Sequence, residues 1–381
     1  MLKRIMKGLD AIILLLLLVF MIISIFCIYS ATRTNLDYSQ SYIKMMYFYG
    51  LGFMVLFIML FINYKLILRF SPVYYAIGVG LLVLLFFKGD TINNAQGWFI
   101  LPGGIGFQPA ELCKLILILF LSYFLSKREV ETLSLFKEIL PMGVITVIPF
   151  LLVLMQPDLG NSIAYLVIFI VVCWFGHINY KHAWIGLIIM IIVSGSSLWS
   201  YINYHPEIKQ FMASKHKEYW LDRVDAVLLP DQASEKATYH MKQAIKAIGS
   251  GSLEGDGYLQ GTSVQTGQVP YTYADSIFVV VGEEFGFVGA SVLLFLYFLL
   301  IYRMIIIALN IRSQTGIYII GGISAMFLFQ VFENIGMLIG IMPITGITLP
   351  FISYGGTSLL INMVSLGFVL SIKIYDDIDV E

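Results

Sequence analysis

Five acids and one lysine stand where an otherwise apolar chain should avoid charge. In "YTYADSIFVVVGEEFGFVG", Asp275 opens an apolar run, and Glu283 and Glu284 follow within it. At 1.5 Å per residue the glutamates lie about 12 Å further down a helix, and adjacent residues diverge by about 100°. At most one of them therefore shares a face with Asp275. Asp275 sits at the boundary between water and hydrocarbon, where a carboxylate can stay ionised and serve as a base. The two deeper glutamates are expected to be structural, with at least one paired to a cation or a helix terminus inside a bundle. "FQPAELCKLILILFL" places Glu111 and Lys114 on one helix face, one turn into an apolar stretch. Two readings stand for this pair. It is a structural ion pair whose opposite charges make burial tolerable, or Lys114 faces a cavity and meets an anionic headgroup while Glu111 holds it. "MQPDLGNS" puts Asp158 where a helix begins, and a carboxylate there caps free N–H groups.

The elements that carry these residues are membrane helices. The chain has 381 residues, of which 59% are hydrophobic and only 12% charged, against about 25% charged in soluble domains. Apolar runs long enough to cross a bilayer core of about 30 Å are expected at 11–31, 45–63, 71–87, 109–127, 139–156, 162–177, 183–202, 276–309, 317–341 and 359–375. The pattern predicts an all-α polytopic membrane protein of about ten transmembrane helices, organised as one domain over 1–381. Short alternating strands of a β-barrel are not seen. The apolar N-terminal run is too long for a signal-peptide core, so it reads as a retained first helix.

Orientation follows from basic residues in the short loops. One set of loops collects Lys3, Arg4, Lys7, Lys65, Arg69, Lys127, Arg128, Lys137, Lys181, Arg303, Arg312 and Lys373, whereas the other holds Arg33, Lys44 and Lys88. Both termini are expected to be cytoplasmic, with 203–275 a large extracytoplasmic loop between helices 7 and 8 that is not an independent domain. Within it, "YHMKQAIKAIGS" is expected as an amphipathic helix with Met241, Ile245 and Ile248 on one side and Lys242 and Lys246 on the other, lying in the membrane interface or dipping partly into the membrane. "GSGSLEGDGYLQGT" has a glycine density that suits close backbone approach or a mobile surface loop. It precedes no helix in the manner of a phosphate-binding loop.

"GIMPITGITLPFISYGGTSLL" combines Pro343, Pro350, Gly346, Gly355 and Gly356 with apolar side chains. Irregular backbone at membrane depth must line protein or a wet cavity, so this segment is expected as a re-entrant or lid-like loop over a groove. Cys27, Cys113 and Cys173 lie in separate apolar runs and neither pair nor space as metal ligands. A net charge of −1 with no basic tract excludes nucleic acid as a partner.

Together "FQPAELCKL", "QPDLGNS", "YHMKQAIKAIGSGSL", "DSIFVVVGEEFGFVG" and "PITGITLPFISYGGTSLL" resemble the SEDS family (RodA, FtsW, SpoVE), across essentially the whole chain. The resemblance implies a peptidoglycan glycosyltransferase of the bacterial plasma membrane. Such an enzyme polymerises undecaprenyl-linked lipid II into glycan strands for cell shape, elongation, division or sporulation. It implies Asp275 as the catalytic carboxylate. It implies Glu111, Lys114, Trp98 and Arg223 as substrate-binding groups, with Ser353, Gly355 and Gly356 of the last loop beside them. A class B penicillin-binding protein is the implied partner. No tightly bound cofactor is expected, though pyrophosphate chemistry leaves room for a divalent cation, Mg or Mn. The chain departs from the family pattern at Gly97, Tyr271, Ala274 and Ser276, and at Leu228 to Pro230. The alternative from another class is a lipid II flippase, and a third reading is a non-catalytic scaffold.

Overall fold

The computed structural model describes residues 8–34, 38–92, 95–101, 105–128, 132–214, 218–230 and 232–376. Lys3, Arg4, Lys7 and the acidic end 377–381 lie outside them. Among the described residues, nine helices are long and apolar enough to cross a membrane. They are α1 (Ala11–Thr32), α2 (Ser41–Met59), α4 (Ser71–Lys88), α5 (Pro109–Ser126), α6 (Leu140–Met155, entered through a π turn at Leu135–Ile139), α8 (Tyr180–Asn203), α13 (Ile277–Asn310), α14 (Gln314–Leu338) and α15 (Gly356–Tyr375). A tenth apolar helix, α7 (Leu159–Phe175), is shorter. All ten expected runs are therefore helices, with boundaries moved by a few residues. A short α3 (Tyr64–Arg69) joins α2 to α4.

α5, α14 and α15 are the most enclosed helices, and the other apolar helices pack around them. α14 packs on α5, α7 and α13, and α15 packs on α2 and α5. α8 differs: none of its residues is buried. Its far end is tied down by the Tyr201 hydroxyl, which donates to Asp225.

Three features were not foreseen. The segment 88–108, between two of the expected helices, carries an antiparallel sheet of β1 (Asp90–Ile92), β2 (Ala95–Leu101) and β3 (Ile105–Phe107) in the order β1-β2-β3. The segment 203–275 folds into helices α9 (His205–Ser214), α10 (Glu218–Leu228), α11 (Glu235–Ser250) and α12 (Thr262–Gln265). α11 is the expected amphipathic helix, but its buried side is Met241, Ala244 and Ala247, while Ile245 is exposed. The small alanines let α11 lie directly on α13 and α14, so protein covers this side of it.

The third is a break in α13. Gly286 takes φ 62°, ψ −160°, a backbone state that only glycine adopts cheaply. The glycine-rich stretch after α11 is spliced into the break. The N–H groups of Asp256 and Gly257 donate to the carbonyls of Glu283 and Glu284, and those of Phe287 and Val288 donate to the carbonyls of Ser252 and Leu253. Carbonyls and N–H groups orphaned by the broken helix are thus re-paired, as a low-dielectric interior requires. A Cβ on Gly251 would stand 2.0 Å from the Gly282 carbonyl oxygen, and one on Gly255 2.3 Å from that of Glu284. Of the two readings of the glycine density, close approach is the one this packing uses.

Candidate active site

Asp275 precedes the first turn of α13, in a segment that reverses at Tyr271, whose φ is 56°. Two neighbours fix its main chain. The side-chain amide of Asn334 on α14 donates to the Asp275 carbonyl at 2.6 Å and to the Ile347 carbonyl at 2.7 Å. The Tyr354 N–H donates to the Tyr273 carbonyl at 3.0 Å. One carboxylate oxygen, Oδ2, faces Gly346, where an added Cβ would stand 3.4 Å away. The other, Oδ1, is enclosed and has no hydrogen-bond partner. Burial pushes the Asp275 carboxyl up to about 6, against hydrogen bonds from its own and Ser276's N–H, the positive charge of Arg223 on α10 and the Ser276 hydroxyl. The result is a half-buried carboxyl with one free acceptor atom and a pKa close to neutrality, the condition a general base needs. Tyr38 stacks on Tyr273 at 4.4 Å, and Tyr273 meets Tyr354 edge-on at 6.0 Å, giving the mouth an aromatic rim.

The loop between α14 and α15 closes over this point. Three of its carbonyls receive hydroxyls from three helices. Ser24 of α1 donates to Ile352 at 2.7 Å, Tyr49 of α2 donates to Phe351, and Tyr297 of α13 donates to Pro350. Phe351 takes φ 65°, held there by these anchors. Of the two expectations for this loop, the pinning favours a fixed re-entrant element over a moving lid. The Ser353 hydroxyl accepts the Leu349 N–H at 2.8 Å, so it stabilises its own turn. Gly356 packs flat on Phe48, whose ring would lie 2.5 Å from an added Cβ, and Gly355 begins α15 in more open surroundings.

Glu283 and Glu284 face away from chemistry. Glu283 accepts the N–H groups of Ser263 and Val264 at 2.7 and 2.9 Å, at the start of α12. Glu284 accepts from the Ser30 hydroxyl of α1, and the Gln265 amide reaches both at 3.4 and 3.0 Å. Both carboxylates therefore secure the spliced segment beside the break at Gly286.

Lys114 is fully buried. Its Nζ donates to Glu111 Oε1 and to Asn161 Oδ1, each at 2.7 Å. Asn161 in turn donates to Asp158 at 2.8 Å, and Gln108 donates to the same carboxylate at 2.9 Å. Asp158 also accepts the Asn161 N–H at 3.1 Å as the cap of α7. The two Gln-Pro-acid junctions are thus joined into one network. Gln330 of α14 extends it, donating to Glu111 at 3.3 Å. The network is enclosed in this conformation, so Lys114 reaches a headgroup only where the surrounding helices part.

Trp98 lies on β2, where Gly106 of β3 leaves room for its ring at 3.1 Å from an added Cβ. The Gly106 carbonyl accepts the Thr357 hydroxyl at 2.6 Å, which seats the sheet on the start of α15. Arg223 stands on α10, and its charge is felt at Asp275. Asp275, Arg223 and the last loop are therefore brought together, while Lys114 and Glu111 form a separate buried centre under α14.

Sequence reasoning missed the row Gln330, Glu333 and Asn334. All three are fully buried on α14, and their spacing of three and four puts them on one face. That periodicity in "FQVFENIG" was the available signal. Gln108, Asn161, His240 and Ser30 were missed too, and nothing local marks them.

This arrangement has relatives. The chain is 33% identical over 365 residues to the peptidoglycan glycosyltransferase MrdB of Escherichia coli K12, covering 96% of this chain and 93% of that protein. It is 29% identical over 373 residues to stage V sporulation protein E of Bacillus subtilis 168, covering 96% and 97%. The rod shape determining protein RodA of Thermus thermophilus superposes with a TM-score of 0.68 at 26% identity, over 96% of this chain and 97% of that one. A chain from a structure described as a peptidoglycan synthase complex that coordinates polymerisation and crosslinking superposes with a TM-score of 0.78 at 27% identity, over 96% and 98%. The family model for cell cycle proteins of the FtsW/RodA/SpoVE type matches residues 7–377, and the chain belongs to that family.

Proposed function

We propose that this protein is a peptidoglycan glycosyltransferase that polymerises lipid II at the outer face of the plasma membrane, with both termini cytoplasmic. The observation that carries the reading is Asp275. It is a carboxyl held near neutrality, with one enclosed and unpartnered oxygen, at the mouth of a membrane bundle.

The chemistry asks little more of the chain. The acceptor sugar's 4-hydroxyl attacks the anomeric carbon of a lipid-linked donor. The C–O bond to the pyrophosphate breaks with inversion, and the hydroxyl proton passes to Asp275 Oδ1. A pyrophosphate leaves without a general acid, unlike the two-carboxylate case. Arg223, whose charge acts on Asp275, offsets charge developing on the leaving group. Trp98 and the tyrosine rim offer ring faces to the sugars, and Lys114 with Glu111 forms a second anionic-headgroup site when the bundle opens. Among the described residues no three metal-binding side chains converge. No step here is routed through a divalent cation. A class B penicillin-binding protein is the proposed partner, in line with the synthase complex among the structural relatives.

The test is glycan-strand formation from purified lipid II by wild type and Asp275→Asn, with a transpeptidase partner lacking its own glycosyltransferase. We expect the amide to lower the rate by roughly 10²- to 10⁴-fold with an unchanged thermal melt. Because the base must be deprotonated, the wild-type rate should rise with pH through about 6. Equal rates for the two proteins would remove Asp275 from the chemistry and return weight to a flippase.

A further inference from the structure

Gln330, Glu333 and Asn334, on one face of α14, are fully buried and leave four oxygens without a donor: Gln330 Oε1, both oxygens of Glu333, and Asn334 Oδ1. Turning the amides over does not help. Asn334 Nδ2 faces the carbonyls of Asp275 and Ile347, and Gln330 Nε2 faces the Glu111 carboxylate. Those partners only accept, so the amide nitrogens must stay where they are and the amide oxygens stay bare. Lys114 is spent elsewhere, donating to Glu111 and Asn161. The Thr345 hydroxyl, in the loop above, turns to the Met337 sulfur at 3.9 Å. Among the described residues no donor reaches this set, and each bare buried acceptor costs free energy.

Two remedies can come from outside the chain. A proton on Glu333 makes one donor, which serves one amide oxygen and leaves the other bare. A cation serves all of them at once, because neighbours at i+3 and i+4 on a helix have Cβ atoms about 5–6 Å apart, within reach of one ion. Charge points the same way. Gln330 joins this row to Glu111, Lys114, Asn161 and Asp158, so Glu111, Asp158 and Glu333 share the single ammonium of Lys114.

We infer that Glu333, with Gln330 Oε1 and Asn334 Oδ1, forms a binding site for a hard cation taken from solution, of the Na+ or Mg2+ kind. Carboxylate and amide oxygens are the ligands such ions take, and ionisable groups at membrane depth mark ion sites generally. The row holds one acid and two amides, so no cluster of acids or histidines announces it. The ion also bears on the mouth of the bundle. It holds Asn334 by the oxygen while the nitrogen holds the carbonyls of Asp275 and Ile347, which stiffens the seat of both. The site itself does not depend on what Asp275 does.

The test is the thermal melt of the full chain in detergent. The protein is stripped with a chelator, exchanged into choline chloride, and given NaCl or MgCl2 at matched ionic strength. Wild type should gain roughly 3–5 °C over choline, as a ligand at about a hundredfold its Kd provides, and NaCl against MgCl2 tells which charge the site prefers. Glu333→Gln should lose the gain, while melting as wild type does, or higher, in choline. Gln330→Met keeps the carboxylate, so it should keep the gain but need roughly tenfold more salt, the cost of one ligand to a charged group. It decides the question if Glu333→Gln does not fold. Asp275→Asn should keep the whole gain, whether or not it still polymerises lipid II; its loss there would move the ion to Asp275 and overturn the assignment. A gain that survives in Glu333→Gln places the ion elsewhere and overturns it too. No gain over choline in wild type sinks the cation site, and a melt that follows pH instead puts a proton on Glu333.

Discussion

The two ends of the bundle handle charge in opposite ways. At one end Asp10 caps α1, accepting the Ile13 N–H at 3.3 Å, and is clasped by two cations, Arg303 of α13 and Lys373 of α15, each at 2.8 Å. One acid meets two bases, and both bases keep part of their surface in solvent. At the other end Lys114 is fully buried among Glu111, Asn161 and Asp158, and the adjoining face of α14 holds acceptors with no donor: Gln330 Oε1, both oxygens of Glu333, and Asn334 Oδ1. Asp275 Oδ1 joins that set. Unpaired buried atoms also occur elsewhere, at Gln156, Glu284 and Asn362 for example, but at Asp10 both carboxylate oxygens meet donors. At the end that carries the candidate chemistry the unpaired acceptors gather on one face of α14 and at Asp275 Oδ1, where a cost in stability is tolerated.

The sharpest way to break this comparison is to remove the lysine. Lys114→Met should destabilise by about 3–5 kcal/mol, because Glu111 is left buried without its cation. Lys114→Met with Glu111→Gln should recover part of that loss, since no lone charge remains. A double variant no more stable than the single, by thermal melt in detergent, would show that the pair is not coupled.

A smaller effect is expected at the opposite end. Burial pushes Asp10 up, but Arg303 and Lys373 donate to it and on balance hold its carboxyl below the usual range. Asp10→Asn should therefore cost about 1–2 kcal/mol at neutral pH and leave polymerisation unchanged. The sign of the pH dependence follows: a depressed carboxyl stabilises fully above its unfolded pKa of about 4 and loses that contribution as pH falls through the folded value. Wild type and variant should converge in acid. A constant gap down to pH 3 would mean that packing, not charge, accounts for it.

What could be read in advance divides along physical lines. Apolar length is a local property, so all ten helices and the Glu111–Lys114 pair were legible, as was the density of glycine before α12. What the glycines approach was not, because the break at Gly286 is filled by a segment some thirty residues earlier in the chain. No periodicity reports such a splice. The sheet around Trp98 was hidden by strands too short to alternate convincingly, and "NNAQGW" reads as a turn. The partners of Glu283 and Glu284 are main-chain N–H groups and a serine of α1, which no side-chain pattern can announce. His240 was hidden in the same way: its helix was visible, but the hydroxyl it meets belongs to the next apolar run.

The smallest expected effect is also the most diagnostic for the unpaired end. Glu333 is fully buried, and neither of its oxygens has a hydrogen-bond donor. A carboxylate in that state costs free energy that an amide of the same shape does not. Glu333→Gln should therefore leave the melt unchanged or raise it, by up to about 1 kcal/mol, whereas the same change at Glu283 would discard two hydrogen bonds to Ser263 and Val264 and lower it. If Glu333→Gln instead lowers the melt as Glu283→Gln does, the acceptors on α14 have a partner in the folded protein. The contrast between the two ends would then lie in what binds there and no longer in what is left unsatisfied.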